Sequence, residues 1–418
     1  MDNQKLETAA IIIGSDPAGA TTSLFLTKAR VPHIVIDTNT SEAENIIGCA
    51  FSYKSHQVID RVNPDWLHEV LRDKSISLPV WGIKFSAPNN AGIDIPFELK
   101  AIKNALAPAY SIPRSDFNHF MHNKMQSALC RRFTNAEIKK MDISGGKVTL
   151  EIVCDEVEYT ITGRVIVGAD GDESKVRKNF LPKSTLGAIE AIGLRGYFEG
   201  VTGLHKDNYI ELHFIKDISP GYLWIFPMPG GLTNVGARVP ESWKKNKKNT
   251  PEELLANLIK GNPLLSERFS NAKMVGPLQK YDCQSLWKQQ PISGDHFILV
   301  GDAAALGDTF SGEGIGNALI SGMHAAEAIR KAEQQKNYTK SFFHDLYDKT
   351  LFENIGEEIK ISTNIQKWAK YPVVINHLVK KANTNPDFRT NLNYMLTDPE
   401  QRKPLQKPWF YIKLLLGK

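Results

Sequence analysis

The segment Gly14-Ser15-Asp16-Pro17-Ala18-Gly19 stands between a short apolar run, Ala9 to Ile13, and a stretch of helical composition, Ala20 to Ala29. In a G-x-G-x-x-G turn the first glycine makes the tight bend, the second lets backbone approach a pyrophosphate, and the third lets helix and strand pack closely. The helix start behind such a turn offers N–H groups and partial positive charge to phosphate. Here Gly14 and Gly19 occupy the first and third positions, and Asp16 occupies the second. A carboxylate there crowds and repels phosphate unless it turns away. Pro17 and Ala18 complete the turn, and Asp37 ends the next apolar run, where an acid can hold a ribose hydroxyl.

Two more segments carry the same chemistry. Val167-Gly168-Ala169-Asp170-Gly171 follows the run Arg164 to Gly168, and Ser174 to Arg177 opens a helix behind it. Ile298 to Ala304 reads ILVGDAA, with Gly301 and Asp302 at its turn, and Gly312-Glu313-Gly314-Ile315 follows shortly after. An acid at the carboxyl end of a strand can bond a sugar or ribitol hydroxyl, and a glycine-rich helix start can take a phosphate or a carbonyl.

These residues need a scaffold. Strand, turn, helix and strand from residue 9 to 37 make a βαβ unit, and the uninterrupted apolar runs suit buried parallel strands. Glu137 to Thr162 alternates polar and apolar residues around a turn at Ser144-Gly145-Gly146, as does Ala188 to Val239 in part. From Tyr338 onward the pattern is almost wholly helical. The expected fold class is α/β: a Rossmann-like domain, a mostly antiparallel β-sheet substrate domain and a helical C-terminal part. The expected boundaries are 1–75, 100–185 and 280–335 for the first, 76–99 and 186–279 for the second, and 336–418 for the third.

The three turns in this order and spacing resemble the FAD-binding set of the p-hydroxybenzoate-hydroxylase-like flavoproteins, over residues 9 to 330. The resemblance implies that Gly14, Pro17, Ala18 and Gly19 take the ADP pyrophosphate and that Asp37 takes the adenosine ribose. It places Asp170 near the cofactor, and gives the ribitol and pyrophosphate to Gly301, Asp302, Gly312, Gly314 and Ile315. Ile112-Pro113-Arg114-Ser115-Asp116-Phe117 is similar to the superfamily's arginine before a helix, so Arg114 is a further cofactor contact. Asp16 is the departure from the pattern.

Gly221-Tyr222-Leu223-Trp224-Ile225-Phe226-Pro227, followed by Asn234-Val235-Gly236, resembles the geranylgeranyl reductase family within that superfamily. Tyr222, Trp224 and Phe226 alternate along a strand and so share one face. An aromatic wall of this kind suits an apolar or planar substrate. The family often carries a cysteine in a C-G-G segment after the second strand; this chain has Ile47-Gly48-Cys49-Ala50-Phe51, which keeps the cysteine without the glycines. Cys49 is therefore the candidate catalytic residue. The resemblance implies reduction of carbon–carbon double bonds in an isoprenoid- or polyene-like substrate by flavin hydride transfer. An FAD-dependent aromatic monooxygenase is the alternative, and a halogenase or a flavin-free binding protein are further ones. A halogenase would carry a W-x-W-x-I-P segment, whereas Trp224 stands without a second tryptophan.

Composition narrows the rest. The 418 residues are 42% hydrophobic and 23% charged with a net charge of +5, ordinary for a globular chain and too weakly basic for a nucleic-acid partner. Cys49, Cys130, Cys154 and Cys283 form no C-x-x-C pair and no disulfide framework, so zinc is not expected and a reducing, cytoplasmic setting is. His33, His56, His119 and His122 form no ligand pattern, and His119 and His122 read as surface residues. The cluster Lys244, Lys245, Lys247 and Lys248 reads as a solvated turn. In the tail, Arg402, Lys403, Lys407, Lys413 and Lys418 surround the apolar run Trp409 to Leu416, which suggests peripheral membrane contact beside the alternative of docking on the protein itself. NAD(P)H is a candidate electron donor, although no second dinucleotide turn is present. Substrate identity and oligomeric state stay open.

Overall fold

The computed structural model describes residues 3–38, 48–97, 106–182, 189–245, 249–284, 290–308 and 314–397. Gly312, the last two lysines of the 244–248 cluster and the tail beyond residue 397 lie outside them, as does the side chain of Cys49.

Four sheets organise the chain. The central one has six strands in the order Ser293–Gly294, Phe297–Leu299, Val165–Gly168, Ala10–Ile13, His33–Ile36, Cys130–Phe133. All are parallel except the first edge strand. Ala10–Ile13, His33–Ile36 and Val165–Gly168 are buried at every position, as strands covered on both faces must be. The first helix, Pro17–Lys28, and the long helix Ile315–Gln335 pack against each other beside this sheet.

Beside it lies a four-stranded sheet in the order Gln4–Glu7, Val157–Gly163, Lys147–Cys154, Glu137–Ser144. Its hairpin turns at Gly145 and Gly146, whose φ values of 57° and 72° suit a two-residue turn. Along Lys147–Cys154 the buried residues alternate as Val148, Leu150, Ile152 and Cys154.

The largest sheet has seven strands: Lys273–Gln284, Ile189–Glu199, Thr233–Pro240, Tyr222–Pro227, Ile210–His213, Gly82–Ser86, Gly92–Pro96. Every pairing is antiparallel except that of Ile210–His213 with Gly82–Ser86. Leu78–Val80 pairs with Ala109–Pro113 in a small sheet that also holds Gly48–Phe51, so the large sheet begins at Gly82. At the other end, its edge strand runs on to Gln284. Helices Lys349–Ala369, Pro372–Thr384 and Pro386–Thr397 complete the C-terminal part.

The contact between the first helix and the long helix depends on Gly322. A Cβ built there would stand 2.5 Å from the Ala18 carbonyl oxygen, which is backbone and cannot rotate away. Gly322→Ala is therefore expected to cost about 1–3 kcal/mol of unfolding free energy. Urea titration of the two proteins checks this, and an unchanged midpoint would contradict the packing described.

Candidate active site

Strand Ala10–Ile13 ends at Gly14 with φ +98°, a conformation that L side chains rarely adopt. A Cβ at Gly14 would lie 2.3 Å from the Ala169 carbonyl oxygen, and one at Gly19 would lie 2.0 Å from the Gly14 oxygen. The first and second turns therefore touch backbone to backbone. Asp16 differs: its φ of −62° and ψ of 171° are open to any residue, so the bend itself does not require glycine there. Its side chain does not cap the helix it precedes, and the first helical turn has no acid. The carboxylate turns instead to helix Arg114–Lys124, where it accepts a hydrogen bond from Asn118 Nδ2 at 2.9 Å and faces the Arg114 guanidinium at 3.5 Å. Arg114 Nε also donates to Asn118 Oδ1 at 3.2 Å. The carboxylate thus turns toward that helix while its charge still reaches Asp302, and the same pairing engages Arg114.

A second polar network braces the turn from behind. Ser15 donates its hydroxyl to Asp37 Oδ2. One guanidinium nitrogen of Arg132 lies 3.1 Å from Asp37 Oδ2, 3.2 Å from Ser15 Oγ and 3.1 Å from His122 Nδ1. His122 Nε2 is 2.9 Å from the Ser15 carbonyl oxygen. With Arg132 donating to Nδ1, the imidazole is neutral and carries its proton on Nε2, which donates to Ser15. Burial, joined by the Arg132 charge, pushes the His122 pKa down and agrees with that tautomer. His122 is thus half-buried at the turn rather than on the surface, while its neighbour His119 is exposed.

Asp170 directs its carboxylate into its own chain. It accepts from the backbone N–H groups of Lys175 at 2.6 Å and Val176 at 3.3 Å and from the Ser174 hydroxyl. This caps the short helix Lys175–Phe180. Buried Arg177 then donates to the carbonyl oxygens of Asp302 at 3.3 Å, Ala303 at 3.1 Å and Asp172. One guanidinium ties the second glycine turn to the third. Gly301 donates its N–H to Ser321 Oγ at 2.9 Å, which joins that turn to the long helix.

The Asp302 side chain, by contrast, is open to solvent although protein surrounds it on most sides, as on the wall of a cleft. That crowding, against the pull of Arg114 and with the help of Asp172 and Asp16, pushes its carboxyl upward. Its Oδ1 lies 3.7 Å from where a Cβ would stand on Gly314. Gly314 begins the long helix without a side-chain cap, and the first turn from Ile315 has no acid. Two helix starts without side-chain caps, at Pro17 and Ile315, therefore stand close to Asp302 and Arg114. Anionic oxygens are stabilised at such a place. The donor set fits a nucleotide pyrophosphate, and Gly14 and Gly19 let the turns pack closely enough to assemble it.

Tyr222, Trp224 and Phe226 follow one another with ring centroids 6.3 and 6.4 Å apart. Trp224 Nε1 donates to Asn234 Oδ1 at 2.8 Å, and Asn234 Nδ2 donates to the Tyr197 hydroxyl at 3.4 Å. The polar edge of the indole is satisfied within the sheet, which leaves its faces apolar. The three rings join Phe85, Phe214, Ile375 and Val379 in one cluster, so helix Pro372–Thr384 roofs the wall.

Cys49 pairs by backbone with Ile112, two residues before Arg114 in the chain. Near it, His56 is 3% exposed, with its ring 5.2 Å from Phe51 and 5.7 Å from Tyr110. Its Nε2 has no hydrogen-bond partner among the described residues, and burial pushes its pKa down to about 4. Lys54, at the start of the same helix Tyr53–Val62, pairs with buried Glu358 and lies 3.4 Å from Asn317 Oδ1. No group of metal-binding side chains is present among the described residues.

The sequence pattern of the family described as "FAD binding domain" matches residues 7–318. A digeranylgeranylglycerophospholipid reductase from Methanosarcina acetivorans is 25% identical over 84% of this chain and 82% of the relative. A 1H-pyrrole-2-carbonyl-[peptidyl-carrier protein] brominase from Pseudoalteromonas luteoviolacea is 23% identical over 92% of this chain and 90% of its own length. Among solved structures, a geranylgeranyl bacteriochlorophyll reductase-like protein from Thermoplasma acidophilum superposes with a TM-score of 0.78 at 19% identity. That superposition covers 96% of this chain and 99% of the other.

Asp16→Gly removes a negative charge from the helix start and releases Arg114. It is expected to lower the Kd for FAD about fivefold, the size of one exposed charge interaction. Fluorescence titration measures this, and an equal or weaker affinity would refute the account of Asp16. His56 titrates in the opposite sense to a salt-bridged histidine. Its folded pKa lies below the 6.5 of a free imidazole, so its contribution is complete above pH 6.5 and is lost as pH falls through about 4. That loss is on the order of 3 kcal/mol. Urea unfolding across this window should fall less steeply for His56→Phe than for the parent; identical slopes would count against the buried neutral ring.

Proposed function

We infer the activity from one premise: the chain belongs to the FAD-binding-domain family. It is an FAD-dependent oxidoreductase. Its reaction is the reduction of carbon–carbon double bonds in an apolar isoprenoid- or polyene-like substrate. Bound FAD supplies the hydride-transfer chemistry.

The protein's own residues bind, orient and exclude water. Gly14, Pro17, Ala18 and Gly19, with the helix starts at Pro17 and Ile315, would hold the pyrophosphate. Asp37, braced by Arg132, would take the adenosine ribose, and Arg114, Gly301, Asp302 and Gly314 would line the remainder. Asp170 acts through the cap that shapes the second turn. Phe226, partly exposed, would meet the substrate chain, and Tyr222 and Trp224, buried beside it beneath helix Pro372–Thr384, would back that apolar surface, so that water is kept from the reacting bond. Cys49 is proposed to supply the proton that completes the reduction. His56, neutral and buried, keeps its neighbourhood uncharged at physiological pH.

The observation that carries this reading is the family match over residues 7–318, and the aromatic strand whose indole N–H is tied off inside the sheet supports an apolar substrate. Reductases among the relatives support the same reading, since the name of the Methanosarcina protein specifies a geranylgeranylated lipid. The test is turnover of a digeranylgeranyl glycerophospholipid under argon, with chemically reduced FAD. The expected product gains two hydrogens per double bond without oxygen. Trp224→Ala should cut turnover while FAD stays bound, and Cys49→Ser should slow it without changing KM. Product that forms only with oxygen, or only with halide, would overturn the reductase assignment.

A further inference from the structure

The corner between helices Lys349–Ala369 and Pro372–Thr384 has a surface that the oxidoreductase reading leaves unused. Tyr371 and Val373, which flank Pro372 at that corner, are 57% and 51% exposed, the two most exposed large hydrophobic side chains among the described residues. Trp368 stands behind them, its ring 6.3 Å from that of Tyr371. Burying side chains of this size is favourable, so leaving both in water has a cost that a covering surface would remove.

Along the chain that forms the corner the charge has one sign, with Asp217 the exposed acid on the neighbouring segment that Ser219 ties to Ala369. From residue 359 to 386 the chain has no aspartate or glutamate and carries Lys360, Lys367, Lys370, Lys380 and Lys381. Lys360, Lys367 and Lys370 are exposed at spacings that place them on one face of their helix, and that face leads to Tyr371. On the next helix Val373, His377, Lys380 and Thr384 follow one another at helical spacing along the outer face. The inner face of this helix presents Ile375, Val379 and Ala382 to the cluster that holds Tyr222 and Trp224. One helix thus has the aromatic wall on one side and the basic, apolar-tipped surface on the other.

We propose that this corner docks on an anionic lipid surface, with Tyr371 and Val373 entering the headgroup layer and the lysines pairing with lipid phosphates. Tyrosine and tryptophan favour the boundary between apolar and aqueous layers. Lysine stems lie along apolar material while their ammonium groups reach phosphate. Each lysine near such a membrane surface adds attraction that salt screens. The match of apolar tip and lysine ring selects a bilayer over an acidic protein, for which charge alone would suffice. The inference rests on the proposed lipid substrate for its purpose, since a membrane-borne isoprenoid would then meet the protein beside the helix that roofs its wall.

The test uses the full FAD-loaded chain in cosedimentation with two vesicle types, pure phosphatidylcholine and equal parts phosphatidylcholine and phosphatidylglycerol. Binding to the anionic vesicles, weakened by salt, is expected, with little binding to the neutral ones. Tyr371→Asp combined with Val373→Asp should abolish it. Changing Lys360, Lys367, Lys370 and Lys380 to glutamine should lower the partition coefficient about fivefold per lysine. All six side chains are exposed, so bound FAD and the unfolding midpoint should match the parent and report an intact fold. A parent protein that stays in the supernatant with both vesicle types would overturn the proposal, as an acidic-protein surface would give. Unchanged binding by both variants would overturn it too, because the contact would then lie elsewhere in the chain. Vesicle binding is read without turnover, so failure of the reductase assay and failure of this docking are separate results.

Discussion

Backbone touching backbone at the first glycine turn is the constraint on which the other features depend. Gly14 has no room for a Cβ against the Ala169 carbonyl, Gly19 has none against Gly14, and Gly322 has none against Ala18. Three chain segments far apart in sequence are drawn together at this point. Because they are, the starts of the first and long helices lie close to the same turn, Gly301 being packed against both Ala18 and Ala318. Each uncapped start contributes on the order of 0.3–1 kcal/mol toward a bound anion, and two acting on one pyrophosphate reinforce each other. A larger side chain at any of these positions would separate the helix starts before it touched a ligand.

Polar side chains fix the junction rather than fill it. Arg177 ties the second turn to the third through three carbonyl oxygens, and Arg132 joins Ser15, Asp37 and His122 behind the first. Arg177 is buried and Arg132 half-buried, and guanidinium groups in such places hold loops in one geometry because each donates to several acceptors at once. Asp16 is the exception in sign. It places an acid at the positive end of a helix, yet its side chain is drawn to Asn118 and Arg114 and engages one cation there.

Much of this is legible along the sequence because the signals are local. Strand, glycine turn and helix lie within a few residues of each other, and the period-two spacing of Tyr222, Trp224 and Phe226 carries directly into three neighbouring rings. What the sequence does not disclose depends on long-range register. His122 and Arg132 meet at Ser15 only because Cys130–Phe133 pairs with His33–Ile36, which no spacing in the chain announces. Leu78–Val80 has an apolar strand pattern that either sheet could have accepted, and its partner Ala109–Pro113 decides the matter. Asp170 had a local clue: Ser174 and the helix behind it lie at capping distance in sequence, so its carboxylate serves its own chain. The corner at Tyr371 becomes visible only when exposure is known for each side chain.

The central claim is that the crowded glycine junction, with its two helix starts, cradles FAD. The most direct measurement is the visible absorption spectrum of the purified protein, taken after incubation with FAD and gel filtration. The account predicts flavin bands that travel with the protein at one flavin per chain. A colourless protein fraction, even after incubation with excess FAD, would contradict it.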